Sequence, residues 1–170
     1  MKYFISYKIE AEIWSLFIKS HPNGNIFQTP EMFEVYKKTK NYEPVVIGAV
    51  DDNDNLIGIL LAVIQKEHKG IIGKFSSRSI IMGGPLIKDN NPEVLDLLLR
   101  EYNKKIKGKV IYTQVRNLFD QGWAKVVFEK NGFKYEPHLD ILINLNVTTE
   151  ELNKSIKREK RRNFTKSKTE

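Results

Sequence analysis

Two apolar runs, residues 44–50 and 56–66, are separated by five residues that are all aspartate or asparagine: Asp51-Asp52-Asn53-Asp54-Asn55. Short polar side chains of this kind bond to their own backbone and tolerate left-handed conformations, so the cluster predicts a turn. The flanking runs are rich in valine, isoleucine and leucine, which suit a pleated, buried surface. Together they predict a long β-hairpin, and every other element must be arranged around it.

The rest of the chain supplies helices and further strands. Residues 2–8 alternate loosely and predict a short strand. Ile13, Trp14, Phe17 and Ile18 recur at helical spacing, and His21-Pro22 closes that helix. Thr29 followed by Pro30 predicts a second helix running to about residue 40, with threonine as cap and proline at the first helical position. A strand pair is expected over 71–82, broken by Gly83-Gly84-Pro85, since proline cannot donate to a ladder. Leu95, Leu98, Leu99, Tyr102 and Ile106 mark a helix over 92–107. A strand over 110–115 follows, then a helix over 120–131 ended by Gly132, then strands over 133–135 and 139–147. Thr148-Thr149-Glu150-Glu151 is a capping box that opens a basic helix expected over 149–168, with Leu152, Ile156 and Phe164 as a thin apolar seam. This order predicts an α/β (α+β) fold: a mixed sheet with helices packed on it rather than a regular βαβ repeat. The domain is expected to span 1–147, with 148–170 as a basic segment beyond it.

Several function classes are excluded or disfavoured by composition. The 170 residues contain no cysteine, which removes disulfides, thiolate metal sites and cysteine nucleophiles and fits a cytoplasmic protein. No apolar run reaches eighteen residues, so no transmembrane segment is expected, and the N-terminus does not read as a signal peptide. His21, His68 and His138 lack metal-ligand spacing, so no metal is expected. The net charge of +7 is concentrated at one end: from Thr148 to Glu170 eight basic residues oppose four acidic ones. Any partner must therefore suit a basic C-terminal segment.

Two segments resemble landmarks of the GNAT (acyl-CoA N-acyltransferase) fold. Asp51 to Gly58 is similar to its turn and following strand, where a glycine admits a neighbouring backbone. Phe128-Glu129-Lys130-Asn131-Gly132-Phe133 is similar to the ending of its last conserved helix. A working acetyltransferase of that fold presents Arg/Gln-x-x-Gly-x-Gly/Ala after a strand, and backbone N–H groups there hold the coenzyme A pyrophosphate. Here the matching place reads Ile80-Ile81-Met82-Gly83-Gly84-Pro85-Leu86-Ile87-Lys88-Asp89. Pro85 removes a donor, and the next helix begins among the carboxylates Asp89, Glu93 and Asp96. No cofactor is therefore expected in this lobe.

A GNAT-shaped lobe with a Gly-Pro strand break resembles the N-terminal half of FemAB-type (FemX-type) aminoacyltransferases. Ile26-Phe27-Gln28-Thr29-Pro30-Glu31-Met32 is similar to that family's Phe-Gln-Ser/Thr-x-x-Trp stretch, and Gly84-Pro85-Leu86 with Asp89 to its Gly-Pro-Val-x-Asp. The segment Arg161 to Lys168 is similar to the basic segment that leads into its second lobe. The resemblance implies the acceptor-binding half of an enzyme that moves an aminoacyl group from aminoacyl-tRNA onto a peptidoglycan precursor, a nucleotide- or lipid-linked muramyl pentapeptide. It also implies a second GNAT-like lobe absent from this chain, without which this half is inactive. Both substrates are polyanions, which gives cleft-facing cations a role. On that ground Lys37, Lys38, Arg116, Arg161 and Arg162 are the candidate substrate-binding residues.

Each candidate has a plainer reading. Lys37 and Lys38 sit where a helix C-terminus favours cations in any protein. Tyr112, Gln114 and Arg116 share one face of a strand, the first two as half-buried sheet residues. Trp14 and Trp123 read as packing residues, and Gln28 as a hydrogen bond at the start of a helix. No Ser-His-Asp set, interpretable carboxylate pair or Walker loop is present, so no catalytic residue is identified. Two other functions compete. One is a GNAT acyltransferase with a degenerate coenzyme loop, against which Gly83-Gly84-Pro85 argues. The other is a basic nucleic-acid-binding module, against which the lack of basic residues interleaved with aromatics along a strand argues.

Overall fold

A computed structural model describes residues 2–66, 77–137, 144 and 146–156. The chain divides into two compact units, Met1–Glu136 and Pro137–Glu170. In the first unit the strands are β1 (Phe4–Ser6), β2 (Tyr42–Val50), β3 (Leu56–Gln65), β4 (Arg78–Met82), β5 (Leu86–Ile87) and β6 (Tyr112–Arg116). The helices are α1 (Ala11–Ser20), α2 (Pro30–Lys38), α3 (Pro92–Ile106) and α4 (Lys125–Lys130). The strands form one sheet in the order β1-β2-β3-β4-β6, with β5 paired to the far end of β3. All pairings are antiparallel except β4 with β6, which run parallel from Arg78↔Tyr112 to Met82↔Arg116.

The hairpin forms as its residues predict. Asp51 closes the turn by accepting from the backbone N–H groups of Asn53 and Asn55 and from the Asn55 amide. Val45, Ile47, Ala49, Leu60, Ala62 and Ile64 point to one side of the sheet, where α3 packs. Leu56, Ile59 and Leu61 point to the other, against Trp14 and Ile18 of α1. Strand β3 is thus covered on both faces along most of its length, which explains why it is continuously apolar rather than alternating. Pro44 fits because β1 pairs only residues 48–50 of β2, leaving that edge of β2 free at residue 44.

Helix α3 starts at Pro92 behind an Asn91 cap and buries Val94, Leu95, Leu98, Leu99, Tyr102 and Ile106, a single stripe at helical spacing. Each large apolar side chain on that stripe contributes roughly 1.5–3 kcal/mol on full burial. At Gly58 the expected close approach is made by side chains, not by a backbone: an added Cβ would lie 2.8 Å from Val94 Cγ1 and 3.1 Å from Leu98 Cδ1. The Tyr102 hydroxyl donates to Ser79 Oγ at 2.6 Å and lies 3.0 Å from Thr113 Oγ1, tying α3 to the parallel pair.

Three expectations are corrected. Residues 133–135 form no strand. Phe133 instead closes α4, its N–H bonding Phe128 O and its ring meeting the Phe128 ring edge-on at 5.5 Å, the hydrophobic contact of a Schellman ending. The helix over 120–131 begins as a 3-10 turn at Gly122–Ala124 and becomes α-helical only from Lys125. In the second unit the capping box forms at Thr148 and Glu151, but the helix it opens, α5 (Thr149–Ser155), stops where Ile156 turns extended. There the Ser155 hydroxyl bonds the Leu152 carbonyl, a local bond that competes with helix propagation. Of the expected seam, Leu152 is half-buried and Ile156 exposed. Residues 71–76, most of 139–147, His68, His138 and the tail with Phe164, Arg161 and Arg162 lie outside the described residues. No helix among the described residues is long and apolar enough to cross a membrane.

Candidate functional site

The parallel pair β4/β6 is the part of the sheet where chemistry is most plausible by position, because ligands of α/β sheets gather at the carboxyl ends of parallel strands. That end is the Gly83-Gly84-Pro85 break together with the turn after Arg116. The break is filled from the protein's own loop, residues 21–29 between α1 and α2. Gln28, fully buried, inserts its amide where β3 would otherwise continue pairing with β4. Its Oε1 accepts from Leu61 N at 2.8 Å, and its Nε2 donates to Leu61 O at 2.9 Å and to Met82 O at 2.8 Å. Trp14 Nε1 in turn donates to the Gln28 carbonyl at 2.6 Å. Asn25 Nδ2 donates to Gly83 O at 2.6 Å, and His21 Nε2 donates to Ile87 O at 3.0 Å while its Nδ1 accepts from Asn23 N.

This geometry explains the two glycines. A Cβ on Gly83, whose φ is +63°, would lie 2.5 Å from Asn25 Oδ1, and one on Gly84 would lie 2.5 Å from Gln28 Cδ. The Asn25-to-Pro30 segment and the Gly83-Gly84-Pro85 segment are therefore two halves of one device, and each requires the other. Gln28 neither reads a ligand nor simply starts a helix; it completes the sheet. The start of α2 is capped separately by Thr29 Oγ1, which accepts from Met32 N.

The same geometry tests whether the coenzyme A of acetyltransferases with this fold suits the chain. A pyrophosphate cradle needs free, convergent backbone N–H groups. Gly83 N–H already donates to Arg116 O at 2.8 Å, and Pro85 has no N–H. Leu86 and Ile87 lie in the ladder with Ile59 and Gly58. At the start of α3, Asn91 Oδ1 accepts from Glu93 N and Val94 N. Gly83, Glu93 and Val94 spend their N–H groups within the protein and Pro85 has none, so these positions do not fit that group.

Beyond the break, the turn after β6 keeps open acceptors. Among the described residues Asn117 Oδ1 and Gln121 Oε1 are buried without a hydrogen-bond partner, although Gln121 Nε2 reaches Pro85 O at 3.4 Å. An unsatisfied buried acceptor costs about 1–3 kcal/mol, so these atoms mark a place where stability is not the sole constraint.

The face of β4 and β6 that carries Arg116 was judged from single strands, and the tertiary structure changes that judgement. Ser79, Ile81, Thr113 and Val115 face α3. Arg78, Tyr112, Gln114 and Arg116 therefore point to the opposite side. In register across four strands, Tyr42, Gln65, Arg78 and Tyr112 form one row. Within it Gln65 Nε2 donates to Tyr42 Oη at 3.0 Å and Arg78 Nε donates to Gln65 Oε1 at 3.1 Å. Farther along β6, Arg116 Nη2 donates to Gln114 Oε1 at 3.1 Å. Tyr112 is 46% exposed, and Gln114 is half-buried as expected. Aromatic and basic residues do interleave on this sheet; they do so across strands instead of along one.

The five sequence-predicted residues are not gathered at one point. Arg116 is exposed at the end of β6. Lys37 and Lys38 are exposed in the last turn of α2, Lys37 within 3.5 Å of Glu34. They adjoin the Tyr42 end of the polar row through the Thr39 turn, whose carbonyl accepts from Tyr42 N. Arg161 and Arg162 lie outside the described residues. A separate groove of about 460 Å³ runs between α3 and α4 beside Tyr3. Its Asp96 is already engaged by Arg100, Lys130 and Asn131. Trp14 and Trp123 are packing residues, as expected. Among the described residues no group of acidic and histidine side chains could hold a metal.

No protein-family model matches the chain, and no curated protein matches it. Its likeness is to solved structures. A transcriptional regulator from Bacillus halodurans C-125 is similar with a TM-score of 0.58 at 17% identity, over 84% of this chain and 100% of that one. An acetyltransferase from Trypanosoma brucei gives 0.55 at 10%, over 84% and 100%. Glucosamine-6-phosphate N-acetyltransferase from Arabidopsis thaliana gives 0.52 at 14%, over 86% and 100%. At such identities the likeness concerns backbone arrangement alone. With the largely antiparallel sheet and its packed helices, it establishes that the chain has the GNAT-like fold.

Proposed function

We propose that this chain is the acceptor-binding half of a FemAB-type transferase, moving an aminoacyl group from aminoacyl-tRNA onto a peptidoglycan precursor. The observation that carries the reading is the filled phosphate cradle. A GNAT-like sheet whose break is plugged by Gln28 and Asn25, and whose Gly83 N–H is already bonded to Arg116 O, suits a donor other than acyl-CoA. In this reading residues 1–147 form the first lobe, and 148–170 lead to a second GNAT-like lobe. Lys37, Lys38 and Arg116, with Arg161 and Arg162, supply positive charge for the diphosphate of a UDP- or lipid-linked muramyl pentapeptide. Transfer then depends on positioning and charge stabilisation rather than on a covalent intermediate.

A second reading, an N-acyltransferase using coenzyme A, is favoured by one observation: several of the similar structures are acetyltransferases. Calorimetry on the full-length protein separates the two. The expected result is binding of the UDP-linked muramyl pentapeptide and no heat with acetyl-CoA. Micromolar acetyl-CoA affinity that disappears when residues 83–87 are substituted would overturn the proposal and promote the acyltransferase.

A further inference from the structure

We infer that the outer face of α1 is the contact surface of a symmetric dimer, its occupant a second copy of this chain. Helix α1 buries Trp14 and Ile18 against the sheet. At about 100° per residue, Leu16 lies roughly 180° round the helix from the midpoint of that stripe. It is 66% exposed, and Ile13, one turn before it, is exposed as well. Helix α2 lies alongside, with Phe33 meeting Trp14 edge-on. Its Met32, Phe33 and Tyr36 pack inward, and Val35 is left exposed. Three large apolar side chains therefore share the outer side of one two-helix layer. That is a patch, not scattered exposure.

The charges beside the patch decide what covers it. Glu12 and Lys19 fall about 40° and about 60° from Leu16 on the same flank, one on either side of it along the axis. Helices α2, α3 and α4 pair such charges along their own length, as Lys37 with Glu34, Lys104 with Glu101 and Lys125 with Glu129. Among the described residues Glu12 and Lys19 make no ion pair. A leucine between opposite charges is self-complementary. Turning a second copy about a two-fold axis near Leu16 sets the two α1 helices antiparallel. Glu12 of each copy then lies nearly level with Lys19 of the other, so one contact occurs twice. An anionic lipid surface would call for cations alone on this flank. Helices α1 and α2 have 10 and 9 residues, which makes the layer about 15 Å long and about 20 Å wide. That footprint suits the low end of specific interfaces, so the expected dissociation constant is micromolar.

The test is sedimentation equilibrium of the full-length protein over a broad range of concentration, at low and high salt. The expected result is a monomer that becomes a dimer at micromolar concentration, less readily at high salt. Leu16→Glu sets like charges across the axis and should weaken dimerisation by about ten-fold or more. Glu12→Lys alone should weaken it by a smaller factor, and Glu12→Lys combined with Lys19→Glu should restore it. Glu12 and Lys19 also suit the helix dipole within one copy, and the double exchange opposes that dipole. A role confined to the single helix therefore predicts no restoration. Circular dichroism checks that each variant is folded, as the exposure of these positions leads one to expect. A parent that stays monomeric at every concentration would overturn the inference. So would a parent-like dimer of Leu16→Glu, or failure of the double exchange to restore pairing. Leu16-dependent binding of a monomeric chain to anionic phospholipid vesicles would assign the patch to a membrane surface and remove the dimer.

Discussion

Loop 21–29 and the outer rows of β4 and β6 face the same side of one sheet, yet they employ polar side chains in opposite ways. In the loop, His21, Asn25 and Gln28 are turned inward, and each is fully engaged with backbone atoms of Leu61, Met82, Gly83 or Ile87. On β6, Tyr112, Gln114 and Arg116 are turned outward and bond mainly along their own surface. The lesson concerns which residues stand out in a sequence. Asn25, Gln28 and Gly83-Gly84-Pro85 form recognisable motifs because close packing allows few alternatives there. Tyr112 and Gln114 form no motif, because an exposed row constrains chemistry but not shape. The residues that resemble a family thus hold the sheet together.

Substitutions at the two regions should differ sharply, and the sharpest is Gln28→Leu. It strips partners from Leu61 N, Leu61 O and Met82 O in a buried place, at about 1–3 kcal/mol for each group left unsatisfied. Urea unfolding should show a loss of at least about 3 kcal/mol; a loss under about 1 kcal/mol would mean the loop is not structural. Gly84→Ala comes next. The added methyl would meet Gln28 at 2.5 Å, and an overpacking cost of about 1–3 kcal/mol should appear in the same measurement.

A smaller effect is expected from acid. Lys66, bonded to Glu43 at 2.6 Å, holds that carboxyl below the usual carboxylate range, with Lys109 adding to the effect. A carboxyl lowered on folding contributes stability above its unfolded value and loses it as pH falls through the folded one. Because these side chains are partly exposed, the contribution is about 1 kcal/mol or less. Glu43→Gln should therefore flatten the acid limb of stability against pH slightly, and leave the neutral region lower by that amount. Smallest of all, Tyr112→Ala should change stability by less than about 0.5 kcal/mol, as surface substitutions usually do. A loss comparable to that of Gln28→Leu would erase the distinction between the two regions.

Much of the fold was legible in the amino-acid order. The hairpin, the Thr29-Pro30 helix start, the 92–107 helix and the strand break at Gly83-Gly84-Pro85 all follow from local chemistry: turn-forming aspartates, caps, and a regular apolar stripe. What failed locally was also informative. Phe133 carries an aromatic strand signal but serves as the lock of a helix ending, a contact with Phe128 that strand propensity does not register. Ser155 bonds the Leu152 carbonyl where α5 ends, although the capping box and apolar seam predicted a longer helix.

The candidate site was legible only in pieces. Lys37, Lys38 and Arg116 stood out as isolated cations, and Gln28 as half of a motif whose partner lies more than fifty residues away. Periodicity and capping act over a few residues, so the sequence by itself determined most of the elements, and the GNAT-like arrangement was legible through the resemblance of Asp51–Gly58 and Phe128–Phe133. Strand register acts between residues far apart in the chain, and only the tertiary structure decided two things through it. It brought Gln28 into the gap between β3 and β4, and it aligned Tyr42, Gln65, Arg78 and Tyr112 in one row. The physical reason is common to both: a hydrogen-bonded sheet sets side chains from distant segments a few ångströms apart, and no local pattern records which segments will become neighbours.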